Sequence, residues 1–336
     1  MNIFDGIEKV KSALSTRDQI AELSHFHLKD GEVLATDGAM TASCPIDESL
    51  EHVVPAEEIL KAMEILGRDA IYTWSDDTLV IKKGRRKITI RLLQSDQVDF
   101  IQSVTTKIPV PEDFIARLKL IVPFISEDAS RPWALTAWLH TLANGKPVWT
   151  ATNNICVCEV DATKEDPTSL RNIDCQIPNF AIDYVVKRNK GLTHIGVAEN
   201  RVTFFFDDGS KMTSQLFVVK MPEQVSRILD QQGDMQQDAF PLSGEWMDAY
   251  MSVTELKPDI IMLSGEKMTA TKRQATMEAE LGTCVPRDQK QSSSVWSPKF
   301  LTPVIQAATH IDFANYPGAA SFRGDGLRGV IVGKVL

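Results

Sequence analysis

Leu34-Ala35-Thr36-Asp37-Gly38, Thr150-Ala151-Thr152-Asn153-Asn154 and Thr269-Ala270-Thr271-Lys272-Arg273 are three versions of one pattern. They lie roughly 120 residues apart, and alternating, strand-like sequence follows each of them. Further on, each copy has a helix pattern opened by proline, at Pro55, Pro178 and Pro298. Proline suits the first helical turn, where its missing N–H has no intrahelical acceptor. The third copy carries a second proline, Pro303, so a short or kinked helix is expected there. Each copy then closes on short strands around a Gly-containing turn, at Gly84, at Asp208-Gly209 and at Asp325-Gly326.

An amphipathic helix opens each copy: residues 3–14, 111–125 and 243–256. The second shows Phe114, Leu118, Ile121 and Val122 at helical spacing, and the third Trp246, Met247, Tyr250 and Val253. The order helix, strands, helix, strands therefore occurs three times. An α+β chain of three repeated domains is expected, at 1–105, 106–232 and 233–336, with linkers near 102–108 and 230–238. Antiparallel strands must pair at their edges, and an open edge is a liability. Joining units edge to edge, and closing them into a ring, removes it.

The 336 residues are 43% hydrophobic and 24% charged, ordinary for a folded protein, and no stretch is apolar enough to span a membrane. Asp5, Glu8, Lys9 and Lys11 near the start exclude a secretory signal. Five cysteines without a CxxC pair indicate neither a disulfide framework nor a zinc site, and fit a reducing cytoplasm. The net charge of −9 argues against a protein that grips nucleic acid with its whole surface, but not against a basic stripe on one face.

Other motifs carry little chemistry. His25 and His27 share a strand face without a nearby third ligand, and Cys156 and Cys158 have the spacing of core residues. Asp207-Asp208 reads as a turn before Gly209 rather than a nuclease site. No phosphate-binding Gly loop, nucleophile elbow or HExxH is present. No cofactor, metal or catalytic residue is expected. The run Lys82-Lys83-Gly84-Arg85-Arg86-Lys87 is better read as a charged hairpin tip than as a nucleic-acid patch.

Three repeats of this kind resemble the beta sliding clamp of bacterial DNA polymerase III, and the resemblance covers the whole chain. Its most specific residues are Thr213-Ser214-Gln215-Leu216, Met221-Pro222-Glu223 and Ser226-Arg227-Ile228-Leu229, together with Ala151-Thr152-Asn153-Asn154 and Asp37-Gly38. The apolar C-terminal strand 329–336 matches the family's tail in position. Asn154-Ile155 replaces a Gly-His pair, and Gly333 stands where the tail usually has proline. These departures fit a diverged member of the kind a phage encodes.

The resemblance implies a non-enzymatic head-to-tail homodimer, a ring with sheets outside and helices lining the hole. Its implied partners are double-stranded DNA, a replicative DNA polymerase and an ATP-driven clamp loader. Candidate phosphate contacts are Lys9, Lys11, Arg17, Lys61, Arg68, Arg117, Lys119, Arg131, Lys187, Arg188, Lys190, Lys257 and Lys299. Ordinary solvated helix faces are the alternative reading. The implied partner-peptide pocket comprises Leu135, Thr152, Asn154, Val157, Pro222, Arg227, Ile228, Val330, Ile331 and Val332. For the dimer, Ile88 and Ile90 are expected to meet the region of Tyr250 and Val253. An enzyme acting on DNA through an unrecognised site, or a scaffold without a DNA role, are the competing functions.

Overall fold

The computed structural model describes residues 1–15, 21–93, 98–231, 239–281, 293–313 and 315–335. The first stretch of chain runs α1 (Ile3–Val10), β1 (His25–Lys29), β2 (Glu32–Thr36), β3 (Met40–Pro45), β4 (His52–Pro55), α2 (Ala56–Leu66), β5 (Ile71–Trp74), β6 (Thr78–Lys83) and β7 (Arg86–Arg91). The second runs β8 (Ile108–Pro109), α3 (Phe114–Ile121), β9 (Thr136–Thr141), β10 (Pro147–Thr152), β11 (Cys156–Asp161), β12 (Cys175–Pro178), α4 (Asn179–Arg188), β13 (Leu192–Ala198), β14 (Arg201–Phe206), β15 (Lys211–Gln215) and α5 (Glu223–Gln231). The third runs β16 (Phe240–Pro241), α6 (Gly244–Thr254), β17 (Ile260–Ser264), β18 (Lys267–Lys272), β19 (Ala275–Glu280), β20 (Ser293–Trp296), α7 (Pro298–Ala307), β21 (His310–Asp312), β22 (Ala319–Gly324) and β23 (Leu327–Val332). The helix–strand–helix–strand order is thus present three times. Helix α7 continues through Pro303 and is as long as α4, at ten residues.

The first two signature turns share one hydrogen-bond pattern. The Thr36 hydroxyl donates to the Met40 carbonyl at 2.6 Å and accepts from Gly38 N–H, while Asp37 accepts from Ala39 and Met40. Thr152 donates to the Cys156 carbonyl at 2.7 Å and accepts from Asn154 N–H, and Asn153 accepts from Ile155 and Cys156. Gly38, Asn154 and Arg273 occupy the same left-handed position, with φ of 86°, 72° and 53°. Glycine adopts that conformation freely and asparagine tolerates it. This explains why Asn154 stands in for glycine.

The chain forms two compact units, residues 1–110 with 180–216 and residues 111–179 with 217–336. The second repeat contributes its two halves to different units. Each unit holds one eight-stranded and one smaller sheet. In the first unit the large sheet runs β4-β1-β2-β3-β15-β14-β13-β8, and in the second β12-β9-β10-β11-β23-β22-β21-β16. A front half of one repeat joins a back half of the next through β3·β15 and β11·β23. The smaller sheets are β5-β6-β7 in the first unit and β19-β18-β17-β20 in the second.

Both large sheets bury apolar residues on two faces. In the first unit α1 and α4 cover one face: Gly6 packs on Val33, and the Tyr184 ring lies 6.5 Å from that of Phe206. The opposite face is crossed by the connector 98–110, where Ile101 N–H donates to Thr41 and Val104 N–H to Thr203. In the second unit α3 and α7 lie on one face, with the Phe114 ring 5.4 Å from Trp149. There α5 crosses the other face, over β11 and β23. Gly329 lets this seam close, because a Cβ there would lie 2.5 Å from the Val157 carbonyl oxygen.

Candidate functional site

The second unit carries an apolar cluster at the β11–β23 seam. Val157 and Val330 face each other on adjacent strands, and α5 lays Val225 and Leu229 over them beside Met221. Trp133, Trp138 and Ala319 pack against the cluster while staying partly accessible. Around it Ile228 is 38% and Val332 45% exposed, and Arg227 is exposed. Such an apolar floor with an open rim suits a few side chains of an extended peptide. The helix α5, with Val225 and Leu229 at i and i+4, is the element that sequence reasoning missed. That spacing was its available signal.

Two expected pocket residues have other roles. Ile331 is 1% exposed and opposite Cys156 in the strand pair, on the face that meets α7. Period-two alternation puts it on the reverse side from Val330 and Val332. The Thr152 hydroxyl is committed to its own turn and is not available to orient a peptide. Leu135, Asn154 and Pro222 remain partly accessible.

Five candidate phosphate contacts converge in the first unit. Lys9, Lys11, Lys187, Arg188 and Lys190 line a cleft of about 710 Å³ between the ends of α1 and α4. Lys11, Lys187 and Lys190 are exposed, with Lys11 2.8 Å from the Glu8 carboxylate. Lys9 and Arg188 instead hold Asp208, and Arg188 also lies over the Phe206 ring at 3.8 Å. Partial burial works to raise the Asp208 pKa. Hydrogen bonds from Lys9 and Ser210, with the charge of Arg188, outweigh it and hold the carboxyl well below its usual range. Lys61 and Arg68 are exposed on or beside α2, with Arg68 3.1 Å from Glu8.

Arg117 contradicts its expected role. It is 5% exposed and donates to the carbonyls of Asp161, Asp325 and Gly326 at 3.0, 3.0 and 2.6 Å. It ties α3 to the end of β11 and to the β22–β23 turn, and presents nothing to a phosphate. Lys119, Arg131, Lys257 and Lys299 are exposed in the second unit. Arg17 lies outside the described residues.

Three of the four expected dimer contacts are buried within the chain. Tyr250 and Val253 are 1% and 0% exposed on α6, where Tyr250 stacks on Trp246 and its hydroxyl is 2.7 Å from that of Thr302. Ile90 is 4% exposed against α2, and only Ile88 is half-buried. Tyr250, Val253 and Ile90 belong to the core of their own units. Among the described residues no group of three or more His, Cys, Asp or Glu is placed to hold a metal. Burial pushes the thiols of Cys156 and Cys175 up to about 12 and that of Cys158 well above its usual value, so they remain protonated.

Solved structures share this architecture over the whole chain. The DNA polymerase sliding clamp of Bacillus subtilis superposes with a TM-score of 0.79 at 15% identity, covering 99% of this chain and 96% of that one. The chain has the sliding-clamp fold. The pol III beta of Caulobacter crescentus gives 0.79 at 17% identity, covering 100% and 98%. The Helicobacter pylori beta clamp bound to a DNA ligase peptide gives 0.75 at 13%, covering 98% and 97%. No protein-family model and no curated protein sequence matches the chain. At such identities the likeness resides in the order and pairing of elements rather than in individual side chains.

Proposed function

We propose that this protein is a DNA sliding clamp, a ring of two copies that encircles duplex DNA and tethers a replicative polymerase to it. Each copy would contribute three clamp domains, 1–105, 106–232 and 233–336. The observation that carries this reading is the whole-chain likeness to bacterial clamps, with TM-scores of 0.75 to 0.79. The smaller sheets, β5-β6-β7 and β19-β18-β17-β20, end in strands without a further partner strand among the described residues, edges that a closing ring could join.

The chemistry is that of positioning. Exposed Lys187 and Lys190 offer diffuse positive charge to phosphates, which holds DNA without reading bases and permits sliding. The cluster of Val157, Val225, Leu229 and Val330, rimmed by Ile228 and Val332, is the proposed docking site for peptides of the polymerase and of an ATP-driven loader. A ligase peptide bound to the Helicobacter pylori clamp supports peptide docking as a use of this fold. The clamp performs no bond-making step and acts in the cytoplasm, where its DNA and partners are. No helix among the described residues is long and apolar enough to cross a membrane.

The assembly can be tested by measuring mass in solution and imaging the same particles by electron microscopy. Two chains around a central hole are expected. A monomer, a trimer or a solid particle would refute the reading.

A further inference from the structure

We infer that the free edge of β5 docks an extended segment of a partner protein, of the form apolar–Pro–apolar, which adds to the sheet as a strand with its first apolar residue opposite Tyr72. The other edge of the same sheet, β7, takes no part.

Two segments of the chain itself define the occupant. The strands β5, β13 and β21 each follow a proline-opened helix and begin a three-strand run, β5-β6-β7, β13-β14-β15 and β21-β22-β23. The outer side of β13 is closed by β8, with Ile108 opposite Ile195 and Pro109 opposite His194. The outer side of β21 is closed by β16 in the same way, with Phe240 opposite Ile311 and Pro241 opposite His310. In both, the residue after the proline donates its N–H to a threonine carbonyl, Val110 to Thr193 at 3.0 Å and Leu242 to Thr309 at 2.9 Å. Ile108-Pro109-Val110 and Phe240-Pro241-Leu242 share the apolar–Pro–apolar pattern and make one joint. Proline suits its middle, where an N–H would point away from the sheet and invite a further strand.

The strand β5 presents the same edge uncovered. Lys83 and Arg86 flank a two-residue turn, as do Gly324 and Leu327, so Ile81 corresponds to Phe322. Tyr72, opposite Ile81, then corresponds to Ile311, opposite Phe322, and through the matching caps to Ile195. Ile71 takes the place of His194 and His310. Among the described residues β5 has β6 on one side and neither a strand nor an isolated bridge on the other. His194 and His310 are half-buried, whereas Ile71 is 75% exposed.

The edge is also preformed. The Tyr72 ring packs 5.0 Å from that of Phe4 and its hydroxyl donates to Glu48, which anchors the strand. Open edges are commonly blunted by lysine, proline or a bulge. Ile71-Tyr72-Thr73-Trp74 contains neither residue, pairs with β6 without a bulge and is rich in strand-favouring side chains. Such an edge is a template for strand addition, in which main-chain bonds hold the peptide and alternate side chains select it. Alternate residues bond across an antiparallel pair. The occupant's first apolar residue therefore bonds to the Tyr72 backbone, its proline meets the Ile71 side chain, and its last residue donates to the Ala70 carbonyl.

A peptide with the sequence of residues 104–112 serves as the probe, added to the full chain and followed by fluorescence anisotropy and amide hydrogen exchange. Exchange within residues 71–74 should slow at least about tenfold, with residues 193–196 and 310–312 unchanged. N-methylation of the peptide residue matching Ile108, whose N–H faces the edge, should weaken binding at least about tenfold. N-methylation at the residue matching Lys107, whose N–H faces away, should leave binding intact. Ile71→Asp in the protein, at an exposed position, should weaken binding without lowering the melting temperature. No protection of residues 71–74 at millimolar peptide, or equal binding of both methylated peptides, would overturn the proposal. So would protection confined to residues 193–196 or 310–312, which marks strand exchange, or protection that rises with protein concentration alone, which marks a second copy. The clamp reading stands or falls separately, on retention by circular DNA.

Discussion

Arg328 lies across the β11–β23 seam from Glu159, its Nε and Nη2 2.6 and 3.1 Å from the two carboxylate oxygens. The forked geometry adds orientation to charge, and Glu159 is 7% exposed. The hydrogen bonds from Arg328 to Glu159 are the main cause of the raised Arg328 pKa. Glu159→Ala removes the acceptor and leaves the guanidinium partly desolvated. We expect a loss of roughly 1–3 kcal/mol, read as a lowered urea midpoint. An unchanged midpoint would show the pair to be idle.

Arg117 should behave as a structural residue. Arg117→Ala removes a donor from the carbonyls of Asp161, Asp325 and Gly326, of which Gly326 keeps the Asp161 N–H at 2.8 Å. A cost of about 2–4 kcal/mol is expected, with the folded fraction still retained on DNA. Lys187→Glu with Lys190→Glu should do the opposite. Both residues are exposed, so unfolding should be unchanged while loading onto DNA falls at least about tenfold.

Val332 tests the partner site. It sits at the rim, 45% exposed, and its backbone N–H is held by the Ile155 carbonyl at 2.9 Å. Val332→Asp places a charge at the rim without opening the core. Fluorescence anisotropy should show loss of binding to the cognate polymerase's C-terminal peptide, with the dimer intact and the melting temperature little changed. Unchanged affinity would place the partner site elsewhere.

His140 sets an acid sensitivity. Burial is the main cause that lowers its pKa to about 4; the ring is stacked on Trp138 at 3.6 Å and bonded to Thr150 at 2.9 Å. The unfolded chain takes up this proton near its ordinary value of 6.5, and the folded chain does not until about 4. Stability from this group is therefore full above 6.5 and falls as the pH drops from 6.5 towards 4. His140→Gln should flatten that part of the stability profile. An identical slope in wild type and variant would exclude His140 as the cause.

The repeats were legible because their signals are local. Thr36, Thr152 and Thr271 announce the same turn, and proline and glycine punctuate the helices and hairpins around them. Strand pairing between repeats is set by residues more than 100 positions apart, so β3·β15 and β11·β23 could not be read from periodicity. Tyr250 and Val253 lie on an apolar helix stripe. Helical spacing shows that the stripe is covered, but not whether the same subunit or another covers it. Ile331 was a different error, since alternation along β23 already assigns Val330 and Val332 to one face and Ile331 to the other.

Retention on DNA circles tests the clamp reading most directly. Protein loaded onto closed circular duplex should survive a high-salt wash, because topological linkage does not depend on phosphate contacts. It should leave once a nuclease cuts the circle. Direct binding to short linear duplexes should be weak and fall steeply with salt. Loss at equal rates from cut and uncut circles would contradict encirclement.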